Sequence, residues 1–334
     1  MRRGGAAALV GAGATAWGAA ALADRRRIAR DPARAALDAP LRGEVLRVAG
    51  AGGTDLHVEL FGPRDAPPLV LVHGWTCALR FWKLQIQALS GEHRVIAYDQ
   101  RGHGESAAPQ HGDWSMETLG EDLERVLDAT LAGRERAVIA GHSLGGMTIA
   151  AWARGRGGAA DRARAAAFFN TGMGDLIAES LLLRTPDALA SIRGAAGRAM
   201  LSASLPMPGR SSPLAHRAVH AIAFGPDAGA ATVAFGEDMV LECRREVRAG
   251  TGRTLAALDL HDAVAHVDAP AIVLAGMHDR LTPPVHAKRL AGDLPQLLRY
   301  VAVERSGHMT PLERPGIVSD ILAELSAAPA AVAA

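Results

Sequence analysis

Short apolar runs alternate with amphipathic stretches along most of the chain. Pro68–Val72 is apolar at every position, which is typical of a strand buried on both faces of a parallel sheet. Ser115–Leu131 instead carries its apolar residues at helical spacing. This alternation predicts an α/β protein with a mostly parallel sheet flanked by helices. The further predicted elements are strands at Arg94–Tyr98, Arg136–Ala140, Ala165–Phe169, Ala271–Ala275 and Leu298–Val303 and a last helix near Ile317–Leu325.

Two regions depart from this regular order. Glu44–Val48 and Asp55–Phe61 are β-prone runs separated by a glycine-rich turn, which predicts an antiparallel hairpin. Residues 175–266 interrupt the strand succession and are rich in Ala, Leu and Met, so we expect a helical insertion that forms a lid. The chain is thus divided into an N-terminal segment with an Arg/Ala-rich linker (1–41), a main domain (42–325) and a low-complexity tail (326–334) expected to be disordered.

The N-terminal segment contains an uncharged run at residues 4–23, flanked by Arg2 and Arg3 on one side and by an arginine cluster on the other. Its length suits a helix that crosses a bilayer, although Ala and Gly make it weakly hydrophobic. The larger positive cluster follows the run, which favours an uncleaved anchor with a cytoplasmic catalytic domain. Ala21-Leu22-Ala23 also fits a signal-peptide cleavage site, so export and a merely disordered tail stay open.

Charge and cysteine content narrow the function classes. The formal net charge is +1, which gives no electrostatic reason to expect a nucleic-acid partner. Cys77 and Cys243 lie outside any CxxC spacing and are interpreted as free thiols. The histidines at 261, 266 and 278 lack the spacing of metal ligands, so neither a metal nor another cofactor is expected.

A Gly-x-Ser-x-Gly motif at Gly141–Gly145 follows a predicted strand and precedes a helical stretch. This context is that of a nucleophile elbow, a strained turn that presents the hydroxyl of Ser143 above the sheet. A serine hydroxyl must pass its proton to a base, which in turn needs a carboxylate to orient it. His308 follows the last predicted strand and Asp279 the one before it, in the chain order expected for this arrangement. Asp175, after another strand, is the alternative acid.

With these motifs the chain resembles the α/β-hydrolase fold superfamily over roughly residues 44–325, and most closely its single-domain esterases, lysophospholipase-like lipases and cofactor-free haloperoxidase-type hydrolases. The resemblance implies an oxyanion hole built from the backbone N–H groups of Trp75 and Leu144. The Trp75 ring is then a pocket wall. We expect His73 and Asp99 to make structural loop hydrogen bonds and His142 to serve in packing.

A serine at the elbow predicts acyl-enzyme chemistry, because alkyl-enzyme esters of the epoxide-hydrolase or dehalogenase kind need a carboxylate there. The expected partner is a small-molecule carboxylic ester with an apolar acyl group. Perhydrolysis, in which peroxide replaces water, and a non-enzymatic receptor are the alternatives. The apolar residues that the insertion offers to a substrate are Leu181, Leu182, Leu183, Met200, Leu201, Met207, Ile222 and Phe224.

Overall fold

A computed structural model of the chain describes residues 18–183, 186, 189–204 and 211–327. Most of the predicted uncharged run 4–23 lies outside the described residues. So do Met207 of the insertion, the side chain of Leu183, and residues 328–334 of the tail.

One eight-stranded sheet forms the centre of the molecule, with the strand order β1-β2-β4-β3-β5-β6-β7-β8. β1 and β2 pair antiparallel, as do β2 and β4, and all other neighbours are parallel. The predicted mostly parallel sheet is therefore confirmed. The strands are β1 (Glu44–Ala49), β2 (Asp55–Phe61), β3 (Pro68–Val72), β4 (Arg94–Tyr98), β5 (Ala137–His142), β6 (Ala163–Phe169), β7 (Ala271–Gly276) and β8 (Leu297–Val303).

The continuous apolar runs of the central strands fill two cores, one on each face of the sheet. In β3 every residue is buried. Val70 and Val72 belong to one apolar cluster, whereas Leu69 and Leu71 belong to the other. Successive side chains of a strand point to opposite faces, so a strand covered by helices on both sides needs apolar residues at every position.

Helices cover both faces of the sheet. In α4 the N-cap Ser115 accepts a hydrogen bond from the backbone N–H of Thr118 at 3.3 Å, as its sequence suggests. The helices are α1 (residues 18–30), α2 (Arg34–Asp38), α3 (Lys83–Leu89), α4 (Met116–Thr130), α5 (Leu144–Arg156), α6 (Leu176–Glu179), α7 (Ala190–Leu201), α8 (Pro213–Ala223), α9 (Ala230–Glu242), α10 (Arg245–Ala256), α11 (Pro284–Asp293), α12 (Thr310–Glu313) and α13 (Pro315–Ala327). The first two residues of the predicted tail thus belong to α13.

The insertion, residues 175–266, lies between β6 and β7 and contains α6 to α10. The described residues of this segment are mostly helical. Because β6 is parallel to its neighbours, the insertion leaves the sheet at the edge where β5 and β8 also end. The carboxyl ends of these strands are where α/β sheets place ligands.

α1 begins within the predicted uncharged run, at residue 18, and continues into the predicted linker, which also forms α2 and packs on the domain. The carboxylate of Asp31 accepts a hydrogen bond from the backbone N–H of Ala231 at 3.0 Å, and Lys83 Nζ donates to the carbonyl of Leu37 at 2.7 Å. None of the helices in the described ranges combines the length and hydropathy needed to cross a bilayer.

Candidate active site

Ser143 lies on a sharp turn between β5 and α5, with φ 52° and ψ −118°. A positive φ is costly for a residue with a Cβ and persists only where the surroundings impose it. Here the two glycines of the motif permit the turn. A Cβ on Gly141 would lie 2.4 Å from the carbonyl carbon of Gly145, and a Cβ on Gly145 would lie 2.1 Å from the carbonyl oxygen of Val72.

Hydrogen bonds from neighbouring strands hold the backbone of this turn. The N–H of Ser143 donates to the carbonyl of Phe169 at 3.0 Å, and the hydroxyl of Thr171 donates to the carbonyl of Ser143 at 2.7 Å. The serine side chain itself is half-buried. The turn therefore fixes the Cα–Cβ direction of Ser143 before any substrate arrives.

His308 and Asp279 form a buried pair at the ends of β8 and β7. Nδ1 of His308 lies 2.8 Å from Oδ2 of Asp279, and the two side chains are 6% and 0% exposed. Oδ1 of Asp279 accepts hydrogen bonds from the backbone N–H groups of Leu281 and Thr282, both at 2.9 Å. With Nδ1 bound to the carboxylate, Nε2 is the nitrogen left to take a proton from a nucleophile.

Asn170 and Thr282 complete the surroundings of the Asp279 carboxylate. Nδ2 of Asn170 donates to Oδ2 of Asp279 at 3.1 Å and to the carbonyl of Gly307 at 2.9 Å. The hydroxyl of Thr282 lies 2.9 Å from the same carboxylate oxygen. Sequence reasoning missed both residues. For Asn170 the sequence offers one signal, an asparagine directly after a predicted strand. The residue adopts φ 50°, a conformation that Asn tolerates better than most residues.

His142 links the serine turn to the histidine loop. It precedes Ser143, and its Nε2 lies 2.8 Å from the carbonyl oxygen of His308. Burial holds the pKa of His142 well below its usual value, so the ring is neutral and Nε2–H donates this hydrogen bond. The ring also stacks on Phe81, with centroids 4.4 Å apart. The predicted packing role is confirmed, and positioning of the His308 backbone is added to it.

Glu313, which the sequence analysis did not single out, ties the insertion to the histidine loop. Its carboxylate accepts from the backbone N–H of Gly307 at 2.9 Å and from that of Gly225 at 2.8 Å. The carbonyl of Ala223, at the end of α8, accepts from the N–H of His308 at 2.8 Å. Burial raises the pKa of Glu313. The backbone around His308 is thus bound to the insertion at both of these contacts.

The loop after β3 runs directly against the serine turn. A Cβ on Gly74 would lie 3.2 Å from the Cβ of Ser143, which leaves room only for glycine there. The backbone N–H groups of Trp75 and Leu144 donate no hydrogen bond within the described part of the chain. For Leu144 this is expected, because it opens α5 and the first N–H groups of a helix have no intrahelical acceptor.

His73 and Asp99 hold loops in place, as predicted. Burial lowers the pKa of His73 to about 4, so its ring is neutral, and Nε2 accepts from the backbone N–H of Gln100 at 3.0 Å. Asp99 accepts from the backbone N–H groups of Leu79 at 2.6 Å and Glu105 at 2.9 Å. Both residues organise the chain beside the serine turn.

The alternative acid, Asp175, lies elsewhere. Its carboxylate is 2.9 Å from Nη1 of Arg289 and 3.5 Å from Nε2 of His261, and the side chain is about half exposed. It stands at the N-cap of α6 but makes no side-chain capping hydrogen bond. The carboxylate is engaged by these two side chains instead.

A cavity of about 500 Å³ lies beyond the loop that follows β3. Cys77 and Cys243, both free, are among its lining residues together with Arg80 and Glu242. Burial raises the pKa of the Cys77 thiol to about 12 and that of Cys243 to about 11, which leaves little thiolate at neutral pH. Ser143 and His308 do not line this cavity.

Comparison with known proteins agrees with this architecture. A 3-oxoadipate enol-lactonase of Acinetobacter baylyi is 25% identical over 277 residues, which is 81% of this chain and 92% of that protein. A non-heme chloroperoxidase of Streptomyces lividans is 40% identical over 105 residues, 31% of this chain and 37% of that protein. Several curated relatives are, like the latter, matched over only about a third of their length.

Solved structures show the same fold over nearly their whole length. The enol-lactonase from Burkholderia xenovorans superposes with a TM-score of 0.67 at 28% identity, covering 84% of this chain and 99% of that one. An esterase from Thermogutta terrifontis gives a TM-score of 0.67 at 24% identity, covering 84% and 97%. The family model of the alpha/beta hydrolase fold matches residues 67–315, and the chain belongs to that family.

Proposed function

We propose that this protein is a serine hydrolase that cleaves carboxylic esters through an acyl-enzyme intermediate. The observation that carries the proposal is the buried hydrogen bond between His308 and Asp279. His142, directly before the strained residue Ser143, is hydrogen-bonded to the backbone of His308 and so links this pair to the serine turn. A serine after β5, a histidine after β8 and a carboxylate after β7 are the parts that acyl transfer needs. The enol-lactonase relatives are named for the opening of a cyclic ester, which belongs to the same class of bond.

In the proposed mechanism, Oγ of Ser143 attacks the ester carbonyl carbon while Nε2 of His308 takes the hydroxyl proton. Asp279 keeps Nδ1 protonated and stabilises the imidazolium that forms. The N–H groups of Trp75 and Leu144 donate to the oxygen that becomes negative in the tetrahedral intermediate. The intermediate collapses, the imidazolium protonates the departing alcohol, and an acyl-serine ester remains. Water, deprotonated by His308, then attacks that ester and releases the carboxylic acid and free Ser143.

Apolar acyl groups are the proposed substrate class. The Trp75 ring is half-buried and lies against α10, where a Cβ on Gly252 would be 3.2 Å from it. The insertion also places Phe224 next to the histidine loop, because a Cβ on Gly307 would lie 2.4 Å from the carbonyl carbon of Phe224. Apolar walls with few polar groups are typical of small-molecule sites. We propose that the insertion acts as the lid of this site.

Two measurements test the proposal. A fluorophosphonate probe should label wild-type protein and not Ser143→Ala, and p-nitrophenyl esters of increasing chain length should be hydrolysed with a preference for apolar acyl groups. Replacing His308 should be comparably severe to Ser143→Ala, because the serine proton then has no acceptor. Absence of labelling would favour a non-enzymatic receptor, and a His308 variant that hydrolyses esters at the wild-type rate would contradict the role of His308.

A second candidate, perhydrolysis, is favoured by the match to the chloroperoxidase. Hydrogen peroxide would replace water in the deacylation step and yield a peracid, which the same residues permit. Bromination that depends on both peroxide and a short carboxylic acid would support it, and loss of that activity in Ser143→Ala would place it at the same site.

We also propose that residues 4–23 hold the protein at a membrane with the catalytic domain on the cytoplasmic side, with export after cleavage as the alternative. The support is the arginine cluster after the run. Extraction of membranes with carbonate should leave the intact chain in the pellet. Release of the uncleaved chain would refute the anchor, and a mature N-terminus at Asp24 would establish export.

A further inference from the structure

α7, in the insertion, exposes the apolar stripe that an amphipathic helix normally buries. Leu189, directly before the helix, and Ile192, Ala196 and Met200 within it follow one another at steps of three or four residues, and all four are exposed. The side chains of Leu189, Ile192 and Met200 are 42%, 62% and 51% exposed. Apolar residues at this spacing form one continuous face of a helix. Only Gly197 is buried in α7.

α8 repeats the arrangement. Leu214, Ala218, Ala221 and Ile222 stand on one face at helical spacing, and each of them is exposed. Leu214 is 66% exposed and Ile222 40%. The opposite side of α8 is buried against the domain through Pro213 and Ala223. Large exposed apolar residues scattered singly need no explanation, but continuous apolar stripes exposed on two successive helices of the insertion indicate an interaction surface.

The same part of the molecule is strongly basic. α1, α7 and α8 together contain seven arginines, Arg25, Arg26, Arg27, Arg30, Arg193, Arg198 and Arg217, and a single acidic residue, Asp24. Their formal charge is 7 − 1 = +6, whereas the whole chain carries +1. The rest of the chain is therefore net acidic. Four of the seven arginines lie on α1, and three lie on the two helices that expose the apolar stripes.

α1 and α8 lie against each other, and α8 lies next to the candidate active site. Oδ2 of Asp24 in α1 is 3.7 Å from Nη2 of Arg217 in α8. At the other end of α8, Arg280 donates to the carbonyl of Ala221 at 2.9 Å, and His308 donates its N–H to the carbonyl of Ala223. α8 is thus hydrogen-bonded to both loops that carry the His308–Asp279 pair.

We propose that the exposed stripes of α7 and α8, together with the arginines of α1, form a docking surface for a bilayer that contains anionic lipid. Apolar side chains on a helix enter the boundary between headgroups and acyl chains, and arginines at its border bind anionic headgroups. A protein partner would have to supply a broad acidic and apolar face, whereas an anionic bilayer offers both properties over any area.

This inference is independent of the proposed chemistry, and its apolar stripes lie on α7 and α8, outside the N-terminal run 4–23. It adds a consequence for the proposed esterase. With α8 bound to the His308 loop, docking would bring the mouth of the site to the lipid surface, so that an ester with long acyl chains need not cross water to reach Ser143.

The test places a thiol-linked, environment-sensitive dye at Ile192→Cys in the full chain, in a Cys243→Ser background, since Cys77 is only 3% exposed. The control carries the same dye at Leu298→Cys on β8, where the native side chain is 57% exposed. Phosphatidylglycerol-containing vesicles should shift the emission at position 192 to shorter wavelength and leave position 298 unchanged. Pure phosphatidylcholine vesicles should produce no comparable shift at the same lipid concentration.

Two double variants that remove the same number of arginine charges from different places test the role of charge. Replacing Arg27 and Arg198 by Gln should raise the lipid concentration for half of the shift by about fivefold for each arginine, since a basic residue at an anionic surface contributes a binding factor of that order. Arg64→Gln with Arg134→Gln removes the same net charge from other exposed positions and should leave the midpoint unchanged.

Three outcomes would overturn the proposal. A response at position 192 no greater than that at position 298, in a chain that still floats with vesicles, would assign membrane binding to another segment such as 4–23. An equal shift on neutral vesicles would remove the role of the arginines. A surface that binds only a protein, with no response to either vesicle, would exclude the bilayer as its partner.

Discussion

The loops at the strand ends bury their key side chains, whereas the insertion exposes several apolar ones. At the strand ends Asp279 is fully buried, and both of its carboxylate oxygens are hydrogen-bonded. In the insertion α7 leaves Ile192 and Met200 in water. The residues of the proposed chemistry are therefore held in place by hydrogen bonds at the ends of the strands. The exposed residues of the insertion make no such contacts with the sheet, so their character can suit whatever the helices meet outside the protein.

Among changes at the strand ends, which form the fixed region of the molecule, we expect the largest effect from Ser143→Ala. We expect kcat for a p-nitrophenyl ester to fall by a factor on the order of 10⁶, because loss of the nucleophile removes the covalent route. The melting temperature should stay unchanged, since the half-buried hydroxyl fills no core position and alanine meets the same backbone strain. Steady-state kinetics and thermal unfolding check both. Activity above one hundredth of wild type would exclude Ser143 as nucleophile.

Asp279→Asn should cost somewhat less, about 10⁴-fold in kcat, because an amide can favour the wrong tautomer of His308. Asp175→Asn is the matched comparison, since the same change at an exposed ion pair with Arg289 should cost less than about tenfold. Kinetics of both folded variants decide between the two carboxylates. The reverse ranking would transfer the orienting role to Asp175.

Much of the fixed region could be predicted from the sequence because its determinants are local. Gly141–Gly145 follows the short apolar run Ala137–Ala140, and the positive φ of Ser143 requires the glycines that the motif supplies. The order of Ser143, Asp279 and His308 along parallel strands predicts that all three reach one edge of the sheet, since parallel strands end on the same side. The structure places them at the ends of β5, β7 and β8 in that way.

The residues that the sequence did not reveal act across long separations. Glu313 contacts Gly225, 88 positions earlier, and Asn170 contacts Gly307, 137 positions later. A glutamate on a short helix carries no local signal of burial, because its partners are backbone N–H groups that every residue possesses. The exposure of the apolar residues of α7 could not be predicted from the sequence either, because an apolar stripe at helical spacing normally indicates a buried face.

Glu313→Gln tests whether the insertion helps to hold His308. One carboxylate oxygen becomes an NH₂ group, which cannot accept from Gly307 or Gly225, so the histidine loop should shift. We expect kcat to fall by about 10- to 100-fold with little change in KM, since a misplacement of about 1 Å can cost that much. Glu304→Gln, exposed on the same loop, is the control and should match wild type.

Stability measured on the same variant separates positioning from folding. Because burial raises the pKa of Glu313, its proton is bound more tightly in the folded state, and that contribution to stability is lost as pH rises through the folded pKa. Wild type should therefore lose stability relative to Glu313→Gln between acid and alkaline pH. A kcat that falls only in proportion to the folded fraction would make Glu313 a purely structural residue.

The smallest effect is expected on the insertion side of the comparison, for Ile192→Ser combined with Leu214→Ser. Both side chains are more than half exposed, so the free energy of unfolding should change by no more than about 0.5 kcal/mol for each substitution. Hydrolysis of a short, dissolved ester should also be unaffected, because neither residue touches Ser143, His308 or Asp279. Hydrolysis of a long-chain ester presented in anionic vesicles should fall, whereas Leu298→Ser should leave it as in wild type. An equal loss on both substrates would show that the stripe supports the site directly, and the division between a fixed sheet edge and an adaptable surface would then be wrong.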